Sequence, residues 1–483
     1  MTALSTDAIV AIAGAGAMGS GIAQVAAEAG HHVLLFDAFE GAAQRGRDGI
    51  AASLASQVSK GRLERAERDR ILDRIQPVNH LDGLADARLF VEAITEDLEI
   101  KRTLFREVER RAGPEAILAT NTSSLSITAI AAGLNDPRRC VGMHFFNPAP
   151  LMKLVEVVAG TATSAAIIDT IADTAEAWGK KAVRCRSTPG FIVNRIARPY
   201  YGEALRILEE GVADIATIDS LMTQSGGFRM GPFALMDLIG NDVNFAVTCS
   251  IFEANFSDPR YRPSLMQKDL VDAGWLGRKS GRGFYDYSEK PSAANDASSG
   301  SLSNRPTLAA LGAGRALRID GISILQTDGR SAAELELTMG LPVVLHDLIL
   351  NTDGLKRIGI VASPGVSDEA LCRIVNGLQA EGLEVSQVAD HPGMIVMRTV
   401  AMLVNEAFEA LLHKVASAQA IDLAMRFGVN YPVGPIEWGE RIGLPIVLSV
   451  IEALFDATRD SRYRPSLGLR NVVTRQRALA LPA

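Results

Sequence analysis

His144 stands near the end of one apolar run, CVGMHFF, and Glu156 in the middle of the next, LVEVV. An imidazole can take or give a proton near neutral pH. Oxidation of an alcohol needs such a base for the hydroxyl proton as hydride leaves the carbon. A histidine in an apolar run can equally be a packed core residue. The glutamate tips the reading, because a carboxylate buried among Leu and Val costs several kcal/mol unless it is paired. Paired with His144, it would fix the ring's tautomer and stabilise the imidazolium formed during oxidation.

A second constellation lies at the front of the chain. Gly14, Gly16 and Gly19 form the G-x-G-x-x-G turn GAGAMG, after the apolar run AIVAIAG and before a helical stretch. Glycines there let backbone amides approach a pyrophosphate at a helix N-terminus. Asp37 closes the next run, HHVLLFD, 21 residues after Gly16. An acid there accepts hydrogen bonds from ribose hydroxyls and repels a 2′-phosphate, so the expected cofactor is NAD rather than NADP.

The rest of the chain must position these groups. Its 483 residues exceed one core, and 47% hydrophobic with 22% charged is an ordinary globular balance. A net charge of −7 gives no support to nucleic-acid or anionic-membrane binding. Cys140, Cys185, Cys249 and Cys372 form no C-x-x-C pair, which fits reduced thiols in a cytoplasm. No set of ligands suggests a metal. The uncharged stretch 9–27 reads as strand, turn and helix, because four glycines interrupt it and no basic region precedes it.

Up to about residue 187, short apolar runs alternate with amphipathic stretches, the pattern of a parallel sheet with crossover helices. AIVAIAG, HVLLFD, RLFVEAI, AILATN, CVGMHFF and LVEVVAG are the strands, with a helical hairpin broken near Gly61. Residues 188–288 read as an all-α domain and 289–315, rich in Ser, Ala and Asn, as a linker. GISILQT, LPVVLHDL, RIGIVAS and LEVSQVAD mark a small α/β region at 316–388, and residues 389–483 are helical again.

That last block repeats the earlier one. PGFIVNR at 189–195 returns as PGMIVMR at 392–398, a spacing of 203 residues. The same spacing carries Glu203 to Glu406 and Asp219 to Asp422, and DPRYRPSL returns as DSRYRPSL. Order of this kind indicates a duplicated domain. The one amide of the phrase, Asn194, becomes Met397, an adaptable apolar filler.

The string NTSSLSI…GMHFFNPAPLMKLVEVV…STPGFIVNR resembles the L-3-hydroxyacyl-CoA dehydrogenase family over residues 7–288. The resemblance implies NAD-dependent, reversible oxidation of a (3S)-3-hydroxyacyl-CoA by His144 and Glu156, with Ser123 and Asn194 contacting the substrate. It also implies cofactor contacts from Glu96 and Lys101 and coenzyme A contacts from Ser53 and Lys60. Ser123 also suits a helix cap, Asn194 a solvent-facing helix position, and Lys60 a solvated charged face. Residues 316–388 look like the reduced Rossmann-like module of longer bacterial members, which serve fatty-acid and phenylacetate catabolism. In this light the second half is expected to dock on the first as an intrachain pseudo-dimer partner, beyond which chains could assemble further. 3-Hydroxybutyryl-CoA and 3-hydroxyadipyl-CoA are the expected substrates, and a carboxylated tail would want a cation such as Arg195 or Arg198. A dehydrogenase of a non-CoA hydroxy acid and a non-catalytic NAD or acyl-CoA sensor are the alternatives.

Overall fold

The computed structural model describes residues 3–288, 316–319, 321–352 and 354–480; the expected linker lies outside them. The chain forms two compact units, residues 1–195 with 413–429, and residues 196–412 with 430–483.

The first unit is built on β1 (Val10–Ala13), β2 (Val33–Phe36), β3 (Ile75–Val78), β4 (Leu89–Glu92), β5 (Ile117–Thr120), β6 (Cys140–Phe145), β7 (Leu154–Ala159) and β8 (Lys181–Arg186). They make one eight-stranded sheet in the order β3-β2-β1-β4-β5-β6-β7-β8. Every pairing is parallel except β6 with β7. β1, β4, β5 and β6 are buried throughout, as strands covered on both faces by helices must be. All six expected strands are present; β3 and β8 are additions. β3 contains Pro77 in a charged neighbourhood, and β8 alternates Lys, Arg and Arg with buried Val183 and Cys185. The hairpin is also found, as helices Ala42–Ser59 and Arg65–Asp73 with Gly61 at φ 65° between them.

A helix from the second copy, Ala418–Gly428, belongs to this unit and packs on β7 and β8. It is tied there by the Arg186 amide, which donates to the Val415 carbonyl at 2.9 Å.

The second unit begins with helices Arg198–Glu209, Ile215–Gln224, Pro232–Ile239, Asn241–Ala254 and Leu265–Asp272. Its sheet has β9 (Leu317–Ile319), β10 (Ile322–Gln326), β11 (Val343–His346), β12 (Arg357–Ala362) and β13 (Glu384–Gln387), in the order β13-β12-β11-β10-β9. β10 pairs parallel with β11, β11 antiparallel with β12, and β12 parallel with β13. That is the pattern of β5 to β8, so the small module repeats the far half of the large sheet. Helices Val396–Leu412, Pro435–Ile442, Leu444–Thr458 and Leu467–Ala480 complete the second copy.

The contacts of the repeat are reciprocal. Tyr261 Oη donates to Glu406 at 2.6 Å, and Tyr463 Oη donates to Glu203 at 2.9 Å. Arg464 pairs with Asp258 and Arg262 with Asp460. The Ala389 amide donates to the Val212 carbonyl, as the Arg186 amide does to Val415 203 residues on. Helix Ile215–Gln224 of the first copy accordingly packs on β12. Each sheet is thus covered by a helix from the copy that does not directly follow it.

Candidate active site

Antiparallel register puts His144 of β6 directly opposite Glu156 of β7. The imidazole Nδ1 lies 2.7 Å from Glu156 Oε2, with Glu156 fully buried and His144 5% exposed. An ionised carboxylate only accepts, so Nδ1 carries the proton and Nε2 is the basic nitrogen of the neutral ring. Phe146 and Phe191 flank the ring at centroid distances of 4.6 and 5.8 Å.

The other carboxylate oxygen, Oε1, accepts from the amides of Ile192 and Val193, each at 3.0 Å. These amides open the short helix Val193–Ile196 after a turn in which Gly190 and Phe191 have φ of 75° and 49°. Glu156 therefore joins the imidazole to the backbone that carries Asn194. The Asn194 amide donates to the Ser123 carbonyl at 3.4 Å, bringing these four residues into one site.

Ser123 belongs to a loop held from behind. Glu96 Oε1 accepts from the amides of Ser123 and Ser124 at 2.9 and 3.1 Å and from the Thr122 hydroxyl at 2.7 Å. Burial works to raise the Glu96 carboxyl, but Lys101 and these donors outweigh it and hold the group below its usual range. Lys101 is 1% exposed, and its ammonium is engaged by Glu92 Oε1 at 2.5 Å and Glu96 Oε2 at 3.2 Å. Ser126, not Ser123, caps the helix Ile127–Ala131. Ser53 and Lys60 are exposed on and just after helix Ala42–Ser59.

The glycine turn fits a dinucleotide. Gly14 has φ 100°, and a Cβ there would lie 2.4 Å from the Ala93 carbonyl oxygen. A Cβ on Gly16 would meet nothing within 4 Å, which leaves that backbone open to a ligand. Asp37 accepts from the Ala15 amide at 2.7 Å and the Phe39 amide at 2.9 Å. A cavity of about 550 Å³ beside it is lined by Gly16, Ser20, Asp37 and Phe39.

Three supporting residues were not singled out from the sequence. Glu92 is a fully buried acid at the end of β4, bonded to Lys101 and Thr120. It carried the same signal as Glu156, an acid inside an apolar run. Asn121 accepts from the Phe145 amide at 2.8 Å, fixing the loop to β6. Lys180 donates to the carbonyls of Ala149 and Met152 and so holds the segment after His144. The two cations considered for a substrate tail have protein partners: Arg195 Nη2 is 3.5 Å from His413 Nδ1, and Arg198 bonds Thr248.

Residues 9–188 match the 3-hydroxyacyl-CoA dehydrogenase NAD binding domain, and residues 190–287 and 393–479 match that family's C-terminal domain. Residues 324–392 match the 3-hydroxybutyryl-CoA dehydrogenase reduced Rossmann-fold domain. The chain belongs to the 3-hydroxyacyl-CoA dehydrogenase family. It is 47% identical over 470 residues to 3-hydroxyadipyl-CoA dehydrogenase of Escherichia coli K12, covering 97% of both chains. The crystal structure of 3-hydroxybutyryl-CoA dehydrogenase from Escherichia coli K12 superposes with a TM-score of 0.91 at 44% identity, covering 99% of this chain and all of that one. A probable 3-hydroxybutyryl-CoA dehydrogenase of Bacillus subtilis is 43% identical, but its match takes 59% of this chain and 98% of its own. The family assignment makes this an NAD-binding 3-hydroxyacyl-CoA dehydrogenase with a reduced Rossmann module and a second helical segment. No helix among the described residues is long and apolar enough to cross a membrane.

Proposed function

We propose that the chain oxidises (3S)-3-hydroxyadipyl-CoA, and the shorter 3-hydroxybutyryl-CoA, to the 3-oxoacyl-CoA. The observation that carries the substrate reading is the end-to-end likeness to a 3-hydroxyadipyl-CoA dehydrogenase with the same span. The solved 3-hydroxybutyryl-CoA dehydrogenase of equal coverage supports the shorter substrate.

His144 Nε2 takes the 3-hydroxyl proton, and Glu156 stabilises the imidazolium through Nδ1. Ser123 and Asn194 orient the acyl group. Gly14, Gly16, Gly19 and Asp37 would hold NAD, with Glu96 and Lys101 shaping the loop beside it. Bound NAD supplies the hydride acceptor. In the reverse direction the protonated His144 delivers its proton to the oxygen at C3. Ser53 and Lys60 are the proposed contacts of coenzyme A, in a cytoplasmic enzyme of fatty-acid or phenylacetate breakdown. The two helical copies act as an intrachain pseudo-dimer, each carrying a helix that the other sheet needs.

NADH oxidation with acetoacetyl-CoA and with 3-oxoadipyl-CoA tests this. At least a tenfold higher kcat/KM on the adipyl substrate is expected. A preference for acetoacetyl-CoA would replace the adipyl reading with a short-chain one, and turnover of neither would overturn both.

A further inference from the structure

The second unit contains a cavity of about 470 Å³ between its helical copies, bordered by Arg198, Arg206, Arg260, Arg262 and Arg462. Three glutamates also border it, and each is engaged. Glu203 is bonded by Arg398, Arg206 and Tyr463, Glu210 by Arg398 and His391, and Glu209 by the Ser264 hydroxyl.

The repeat supplies an internal control. Arg260 sits in the buried interface with Nη1 on Glu406 Oε2 at 3.1 Å and Nη2 on the Arg464 carbonyl at 3.0 Å. Arg462 is its counterpart, and Glu203 is the counterpart of Glu406. Arg398 and Arg206 have taken that carboxylate. Arg462, 5% exposed, is left with an ion pair from Nε to Asp460 at 3.6 Å, and that buried Nε has no hydrogen-bond partner among the described residues. A buried cation so poorly compensated is costly, and an anion in the cavity would relieve it.

We propose that this cavity binds a phosphate-bearing small molecule of nucleotide size, anchored by Arg462. Guanidinium forks match phosphate oxygens in pairs. The volume exceeds what one inorganic anion fills and lies in the range of small-ligand sites. Arg198 donates to Thr248 at 3.1 Å on one wall, and Tyr201, whose ring lies 4.9 Å from its guanidinium, adds an aromatic surface. The site lies in the unit that holds neither the glycine turn nor His144.

The test is calorimetry and thermal melting of the full chain with its dinucleotide site saturated by NADH, adding ADP, inorganic phosphate or adipate. One further equivalent of ADP should bind and raise the melting temperature by about 2 °C. Arg462→Met should weaken that binding at least tenfold, melt no lower than the parent without ADP, and leave turnover unchanged. Met402→Trp, which fills the cavity and keeps the arginines, should also abolish the ADP effect. No ADP binding, or binding that survives both substitutions, overturns the proposal. So does adipate binding in place of ADP. Binding of inorganic phosphate without ADP overturns the nucleotide-sized ligand.

Discussion

β6 and β7 of the first sheet, and β11 and β12 of the second, are the same antiparallel pair with different chemistry. His144 faces Glu156 in one, and His346 faces Ile360 in the other. At the 203-residue spacing His144 corresponds to Asp347 and Glu156 to Gly359. The second pair has thus lost the glutamate and carries a carboxylate where the first carries the imidazole. Asp347 still does one of the two jobs of Glu156. Its oxygens accept from the amides of Ile395, Val396 and Met397, the turn equivalent to Ile192–Asn194. That turn is again left-handed, with Gly393 and Met394 at φ 78° and 55°. His346 Nδ1 donates to the Asp347 carbonyl at 2.8 Å, while its Nε2 is buried and has no hydrogen-bond partner among the described residues. Capping the turn is therefore what the fold requires, and orienting an imidazole is what the proposed chemistry adds.

The two histidines should respond differently to the same substitution. His144→Gln should lower turnover by about 10³–10⁴-fold while NADH fluorescence titration shows unchanged binding. His346→Gln should leave turnover within about twofold. Equal losses from both would mean that the second pair takes part in the chemistry.

The carboxylates come next. Asp347→Ala strips the acceptor from four amides, Leu348 included, and should cost about 3–4 kcal/mol in urea unfolding. Turnover per folded molecule should not change. Glu156→Ala should lose stability and turnover together.

This division of labour was only half legible in the sequence. The glycine turn, Asp37, the buried Glu156 and the 203-residue repeat could be read because burial and phosphate approach restrict residue type sharply. Asp347 could not. It lies next to its histidine in LPVVLHDL, where an acid at a strand end reads as a turn residue, and its partners are amides 48–50 residues on. β9 and β8 escaped for a related reason: edge strands are short or half solvated, so their apolar signal is weak. The exchange of helices between sheets leaves no local trace at all, since it depends on which copy a helix packs against.

Asn194→Met copies the second half into the first and should lower kcat/KM about 100-fold, with little change in NADH binding. The converse Met397→Asn puts an amide into a fully buried position and should cost about 1–3 kcal/mol without adding activity.

A smaller difference lies in pH dependence. Burial pushes the His346 imidazole down to about 4, against an ordinary value of 6.5. The unfolded chain then binds the extra proton first, so stability is full above pH 6.5 and falls as pH drops toward 4. Urea titrations at pH 6.5 and 4.5 should show the parent losing about 2 kcal/mol more than His346→Gln. Asp347, whose carboxyl burial raises, is common to both proteins and drops out of the difference.

The smallest effect concerns the exchanged helices. Gly428 of Ala418–Gly428 corresponds to Ser225 after Ile215–Gln224. Ser225 uses its hydroxyl to bond the Arg357 carbonyl at 2.6 Å, holding its helix on the second sheet. A Cβ at Gly428 would instead stand 2.7 Å from Leu154 Cδ2 and 2.9 Å from Val193 Cγ2. Val193 supplies an amide to Glu156, so a Cβ added here would press on the turn that carries Asn194. Gly428→Ala gains helix propensity but overpacks this contact, with an expected net loss of about 1 kcal/mol. The kinetic sign is more telling: kcat should fall a few-fold with the KM for NADH unchanged, and Leu154→Ala in the same chain should restore part of it. Ser225→Gly should lose a similar amount of stability and leave kcat alone. If the two substitutions affect kcat equally, the exchanged helix supports the fold on both sides and positions the site on neither.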